Sequence, residues 1–151
     1  YIRALPAGVT IVAGGREASD NPEDLLAKCP NLHAVVRGEG EQTVQEIVDG
    51  RPWDQILGLS WRQEDRVIHN PNRPLQPIED IQPPDRTLRR YEYVPVLRGL
   101  RLLPLQFDTV LSSRGCPYHC TFCHNVFGKK YRCRSPESIH EEVQRLHARG
   151  Q

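Results

Sequence analysis

Apolar positions in this chain fall into short runs separated by glycine and proline, and each run has its own period. Residues 8–15, Gly-Val-Thr-Ile-Val-Ala-Gly-Gly, are a β-branched run closed by paired glycines. That combination predicts a buried strand of a parallel sheet ending in a turn. In 21–28, an asparagine precedes a proline and two acids. Asn21 is the expected N-cap and Pro22 the first helical residue, a position that needs no N–H. Cys29 and Pro30 close this helix, with Cys29 as a small apolar residue. Residues 33–36, His-Ala-Val-Val, predict a second short strand. A helix then runs to about Asp49, with Val44, Ile47 and Val48 as its apolar face and Gly50 as its stop. Segments 56–62 and 66–69 read as a hairpin turning through 63–65. Strand, helix, strand, helix and hairpin make an α/β pattern of the doubly wound type.

The pattern then changes. Pro71, Pro74, Pro77, Pro83 and Pro84 make 70–88 an extended linker, because proline removes donors and restricts its neighbours. Ile78, Ile81 and Leu88 are expected to pin it to a surface. Residues 89–105 mix Tyr91, Tyr93, Val94, Val96, Leu100, Leu102 and Leu103 with charge and show no clear period. Arg86, Arg89, Arg90, Arg98 and Arg101 are expected to be solvated. Residues 109–113, Thr-Val-Leu-Ser-Ser, predict a buried strand. Ser135-Pro136-Glu137 opens a last helix, capped by Ser135, with Ile139, Val143 and Leu146 as its buried face.

Composition narrows the function classes. The net charge of +1 leaves no global basic footprint, which argues against a dedicated nucleic-acid binder. No apolar run approaches the length of a membrane span, and no secretory signal is visible. Five cysteines, three of them in one loop, do not resemble a secreted disulfide framework, so a reducing cytoplasm is expected. The chain contains no methionine and begins at Tyr1. It also shows one strand and one returning helix after residue 106. Both features lead us to expect an internal fragment of a longer protein.

The candidate chemistry lies in 114–124, Arg-Gly-Cys-Pro-Tyr-His-Cys-Thr-Phe-Cys-His. Cys116, Cys120 and Cys123 are spaced C-x3-C-x2-C. Thiolates crowded this closely repel one another unless a cation neutralises them. A loop of soft ligands suits an iron–sulfur cluster or a zinc ion. Structural zinc usually takes two separated ligand pairs, so a zinc site would need His119 or His124 as a fourth ligand. A cubane cluster held by three cysteines keeps one iron open. Gly115 and Pro117 suit a loop wrapped around a bulky inorganic core.

This loop resembles the C-x3-C-x2-C loop of the radical S-adenosylmethionine (radical SAM) enzymes, including the aromatic residue, Phe122, before the third cysteine. A second resemblance covers the rest of the chain. Val-Ala-Gly-Gly at 12–15, Val-Val-Arg-Gly-Glu-Gly-Glu at 35–41, Leu-Ser-Trp-Arg at 59–62 and Arg-Cys-Arg-Ser-Pro-Glu at 132–137 are similar to segments of cobalamin-dependent radical SAM proteins. The resemblance implies three parts. Residues 1–69 would be the later part of a Rossmann-like cobalamin-binding domain, and 70–105 a connector. Residues 106–151 would be the first βα unit of a radical SAM partial (β/α) barrel.

The family likeness also implies cofactors and roles. Cys116, Cys120 and Cys123 would hold a [4Fe–4S] cluster whose open iron chelates SAM. Phe122 would lie beside the SAM adenine. Gly14, Gly15, Gly38, Glu39 and Gly40 would border the corrin of cobalamin. Read alone, Gly38-x-Gly40 is a sharp turn with acids at a helix start, not a dinucleotide fingerprint, since Thr43 stands where the third glycine belongs. No Asp-x-His-x-x-Gly motif occurs, so no axial histidine is assigned, and His33 and His69 are expected at surface or strand-end positions. The implied activity is reductive cleavage of SAM to a 5′-deoxyadenosyl radical, followed by cobalamin-dependent methyl transfer to an unactivated carbon. The partners would be a small-molecule substrate and a flavodoxin- or ferredoxin-type electron donor. The alternatives are an anaerobic oxidative cyclase, a radical SAM methylthiotransferase and a non-enzymatic zinc-binding module. The basic run 128–134 is expected to be an exposed turn, and Cys133 an ordinary thiol.

Overall fold

A computed structural model describes residues 8–89, 96–97, 100–101, 108–123 and 128–149. The chain forms two units, Tyr1–Leu75 with Gly115–Lys130 and Gln76–Arg114 with Tyr131–Gln151.

In the first unit, β1 (Val12–Ala13), β2 (Ala34–Val36), β3 (Leu59–Gln63) and β4 (Arg66–His69) form one sheet in that order. β1 and β2 are parallel, with Val12 opposite Ala34. β3 and β4 add antiparallel neighbours, and the turn between them carries Glu64 at φ 54. Successive side chains of a strand point to opposite faces. β2 uses this to join two cores. Val35 packs with Ala18, Leu26 and Leu32, while Ala34 and Val36 pack with Ile56 and Leu59. Trp53 and Trp61 border the second core, edge to face with centroids 5.9 Å apart. The α/β alternation expected from the sequence is present, and the sheet is mixed.

Three helices flank the sheet. α1 (Arg16–Asp20) follows Gly15 at once and was not visible in the apolar pattern. α2 (Pro22–Lys28) begins at Pro22 as expected. Asn21 occupies the cap position, but its side chain donates to Glu17 Oε1 at 2.9 Å. It ends α1 as well as starting α2, and the first task takes its amide. α3 (Glu41–Val48) stops before Gly50, whose φ of 76 suits glycine. The apolar face expected for α3 is not the buried one. Val44 is exposed and Val48 is 75 % exposed, whereas Thr43 is fully buried and donates to the Leu57 carbonyl at 3.0 Å.

The proline-rich stretch starts as a strap hydrogen-bonded to the sheet and α3. Asn70 N donates to Leu59 O, and Asn70 Nδ2 to Ile56 O at 2.8 Å. Gly58 N donates to Pro71 O at 2.8 Å. Arg37 Nη1 donates to Asn72 Oδ1, and Arg73 Nε to Thr43 Oγ1. Residues 70–73 are therefore tied to the second apolar core.

The second unit contains single helical turns at Ile78–Asp80 and Arg86–Leu88, the pairs β5 (Val96–Leu97) with β6 (Leu100–Arg101) and β7 (Ser113–Arg114) with β8 (Arg132–Cys133), and α4 (Pro136–Ala148). Asp85 caps the second turn, and the hydrogen bonds it accepts from Thr87 Oγ1 and then from Thr87 N hold its carboxyl below the usual range. Ile78 is buried, as expected of a pinning residue, but Leu88 is exposed. Of the residues singled out in 89–105, Arg90, Tyr91, Tyr93, Val94, Arg98, Leu102 and Leu103 lie outside the described residues, as does His124.

Two expectations fail here for one reason. The strand predicted over 109–113 is a strand only at Ser113, and Leu111 is 52 % exposed. On α4, Val143 is 47 % exposed, and the buried positions are Glu142 and Leu146. Both changes come from arginines that turn inward. Arg86 Nη2 donates to Thr109 O and to Glu142 Oε1, each at 2.7 Å. Arg134 Nη1 donates to Leu111 O at 3.0 Å and to Glu142 Oε2. Carbonyls at 109 and 111 are thus taken by side chains where a sheet ladder was expected. Arg86 Nε and Arg89 Nη2 also lie 2.9 and 2.8 Å from Asp108 Oδ2. Arg86 and Arg89 are therefore ion-paired and not solvated as the sequence suggested.

Candidate metal and cofactor site

The site of the first unit is set by its parallel strands. Because β1 and β2 run the same way with Ala13 opposite Val35, the segments after them leave from the same sheet edge. Gly14 lies opposite the end of β2, where a Cβ would sit 3.6 Å from Val36 O. Gly15 has φ 96 and Gly38 has φ 72, and both face open space. Ser19 links the two loops. Its Oγ donates to Gly15 O at 2.8 Å and accepts from Gly38 N at 3.0 Å. Gly40 packs tightly on Val36, with room for a Cβ only 3.1 Å from its methyl carbon, and opens α3. The glycines singled out from the sequence are thus gathered at one edge, as doubly wound sheets gather ligand loops.

A cavity of about 360 Å³ opens at this edge, lined in part by Ser19, Arg37, Gly38, Glu39, Arg73 and Gly128. Glu39 is buried. Arg37 is partly buried, and this desolvation lowers its pKa from the ordinary guanidinium value. Its Nε is buried with no hydrogen-bond partner in the structure. Glu46, on α3, pairs with Arg73 and holds the strap against that helix. His33 accepts from Ile11 N through Nδ1 at 3.0 Å, and His69 contacts Ser60 and Glu23. Both histidines serve strand ends, as expected.

The cysteine loop belongs to the same unit. It opens at Gly115, whose φ is 88 and whose Cβ, if present, would fall on the Lys130 carbonyl oxygen. Only glycine lets the two ends of the loop approach this closely. Cys123 N donates to Cys120 O at 3.1 Å, which makes a turn between the last two cysteines. Lys129 Nζ reaches His119 Nδ1 at 2.5 Å across the loop. Cys116 is half-buried, Cys120 and Cys123 are exposed, and all five cysteines are thiols. Phe122 is 91 % exposed. Among the described residues, no three His, Cys, Asp or Glu side chains are gathered as a metal cage. The donor set nonetheless fits a soft metal centre in type and in access. Three thiols stand in one turn-rich loop, and no carboxylate interrupts them.

Sequence reasoning missed the strap residues Arg37, Asn70 and Arg73 and the buried pair Arg134–Glu142. Asn-Pro-Asn-Arg-Pro at 70–74 was legible only as punctuation, because the partners of these side chains lie 14 to 35 residues away along the chain.

No family model matches the chain. It is 39 % identical over 146 residues to an uncharacterised methyltransferase of Pyrococcus horikoshii, covering 92 % of this chain and 30 % of that protein. It is 27 % identical over 155 residues to the anaerobic magnesium-protoporphyrin IX monomethyl ester cyclase of a Synechocystis strain, covering 97 % and 30 %. Its fold matches the radical S-adenosylmethionine methyltransferase TsrM of Kitasatospora setae, solved with cobalamin and a [4Fe-4S] cluster bound. That match has a TM-score of 0.62 at 25 % identity and covers 95 % of this chain and 29 % of that one. The chain thus spans about a third of the length of the relatives it matches. No helix among the described residues is long and apolar enough to cross a membrane. By its likeness to these proteins over nearly all of its length, the chain is a homologue of radical SAM proteins that include a cobalamin-binding methyltransferase and an anaerobic cyclase.

Proposed function

We propose that this chain is the part of a cobalamin-dependent radical SAM methyltransferase that brings the two cofactor loops together. Residues 1–69 are assigned to the cobalamin-binding domain, 70–105 to a connector and 106–151 to the start of the radical SAM barrel. The observation that carries the proposal is the C-x3-C-x2-C set of accessible thiols on a glycine-hinged loop, in the same unit as the sheet-edge glycines. Cys116, Cys120 and Cys123 would hold a [4Fe–4S] cluster, with SAM at the open iron. When bound, these groups supply the electron that splits SAM and the methyl group that cobalamin carries to a carbon substrate.

The chain's own residues perform binding and positioning. Cys120 and Cys123 are exposed, and Cys116 follows the Gly115 turn at the start of the same loop. Phe122 offers an uncovered aromatic face for the adenine of SAM. Gly15 and Gly38 leave backbone open at the sheet edge, and Gly14 packs beside them on the end of β2, so a flat macrocycle can approach the two loops closely. Gly40 and Glu39 fix the turn that carries that edge. The electron would come from a flavodoxin- or ferredoxin-type donor in the cytoplasm, and the substrate is a small molecule.

Anaerobic reconstitution with iron and sulfide, followed by EPR of the reduced protein, tests the proposal. The expected result is a [4Fe–4S]⁺ signal that changes when SAM is added and is lost in Cys120→Ala. A colourless protein that binds one zinc ion would replace this reading with a zinc module.

A further inference from the structure

We infer that Glu142 is a positioning residue for the cysteine loop, acting through Arg86 and Arg134 on the backbone that enters it. The inference rests on the reading of Cys116, Cys120 and Cys123 as cluster ligands.

Glu142 sits in the middle of α4 and is 2 % exposed. A buried carboxylate is strongly disfavoured unless it is paired and hydrogen-bonded. This one receives Arg86 on Oε1 and Arg134 on Oε2. Those hydrogen bonds and charges outweigh burial, which by itself would raise the carboxyl, and hold its pKa below the ordinary range. Each arginine has further donors. Arg86 spends one on Thr109 O, and Arg134 spends one on Leu111 O. Between these two carbonyls and the loop, Arg134 N donates to Ser112 O at 2.9 Å, and β7 pairs with β8. Arg134 is fixed a second time by Ser138, which accepts through both its Oγ and its carbonyl. Ser138 is one turn before Glu142, so one face of α4 orients the whole arginine fork.

The arrangement has a direction. Glu142 makes its hydrogen bonds to Arg86 and Arg134. It aligns two guanidinium groups, which hold carbonyls 109 and 111, and the chain reaches Gly115 and Cys116 a few residues later. Asp108 completes the set by pairing with Arg86 and Arg89 just before the held segment. Loss of the Glu142 charge would leave Arg86 and Arg134 without the carboxylate they share and drive the guanidiniums apart, releasing both carbonyls at once. Arg132-Cys133-Arg134-Ser135-Pro136-Glu137 therefore works as an anchoring segment in which Arg134 and Ser135 serve opposite neighbours: Arg134 holds the extended segment before the loop at Leu111 O, and Ser135 caps α4.

Hydrogen exchange and iron loading of the 151-residue chain test this together. Glu142→Gln keeps the shape and removes the charge. Leu146→Ala, one turn further along the same buried face, weakens α4 without touching the arginines. Glu142→Gln is expected to speed exchange in the peptide 109–114 at least tenfold while α4 amides stay protected, and to lower iron bound per chain at least threefold under anaerobic reconstitution. Leu146→Ala, compared at a temperature giving equal loss of far-ultraviolet signal, should leave both near wild type. Unchanged exchange at 109–114 in Glu142→Gln, or an equal effect of Leu146→Ala, overturns the inference. If the wild-type chain takes up no iron, the cluster reading fails, and the exchange measurement still decides whether Glu142 holds 109–114.

Discussion

β2 is covered on both faces by alkyl side chains, whereas the most buried residue of α4 is a glutamate held by two arginines. Around β2, burial follows the apolar pattern, because carbon surface gains from leaving water in any orientation. In the second unit, burial follows pairing, because a charge can leave water only where its partners already stand. The difference explains how each unit would respond to change. An apolar core loses stability in proportion to the volume removed. An ionic cluster fails when one member is taken away, since the others are left buried and unpaired.

The largest effect expected from breaking this contrast is in the first unit. Ile56→Ala removes a fully buried side chain that packs with Leu59 and borders Trp53. It should cost about 2–5 kcal/mol in chemical denaturation. Both tryptophans of the chain lie in this unit, so their fluorescence reads it alone. The loss should be insensitive to added salt.

A pH titration separates the units further. The Glu142 pKa is lowered in the folded state, so the stability it adds is present above the ordinary glutamate value of about 4.3 and is lost as pH falls through the lowered folded value. In acid, exchange protection of the 109–114 segment should therefore fall at a pH where tryptophan fluorescence is unchanged. Simultaneous loss of the two signals would show that the units do not differ in this way.

The smallest effect concerns α3. Val48 is apolar in sequence but exposed, so Val48→Lys should change stability by no more than about 0.5 kcal/mol. A loss of several kcal/mol would mean that the expected apolar face of α3 is the real one.

These contrasts also mark what could be read from the sequence. The hairpin, α2, α3 and the starts and stops at Pro22, Gly50 and Ser135 were legible, because each depends on neighbours within a few residues. The cysteine loop was legible because its spacing is itself the chemical signal. The buried face of α4 was not. Val143 and Glu142 are adjacent, and the apolar pattern chooses the valine, while the structure buries the glutamate because Arg86 and Arg134 arrive from 56 and 8 residues away. Thr43 misled in the same way on α3, since its acceptor, Leu57 O, lies beyond the helix. The proline stretch was read as a linker from composition, but Asn70 and Arg73 supply side-chain hydrogen bonds that composition does not record.

Gly115 combines two requirements that are usually found apart, a left-handed backbone and a carbonyl lying where a Cβ would go. In evolutionary terms the position is a dead end for drift. Even the smallest step, to alanine, must accept an unfavourable φ and at the same moment push the Lys130 backbone aside. Residues farther around the loop can be exchanged one at a time, with each change judged on its own merit. At 115 no series of small, tolerated changes leads away, so the point where the loop closes should outlast much of the sequence that it encloses.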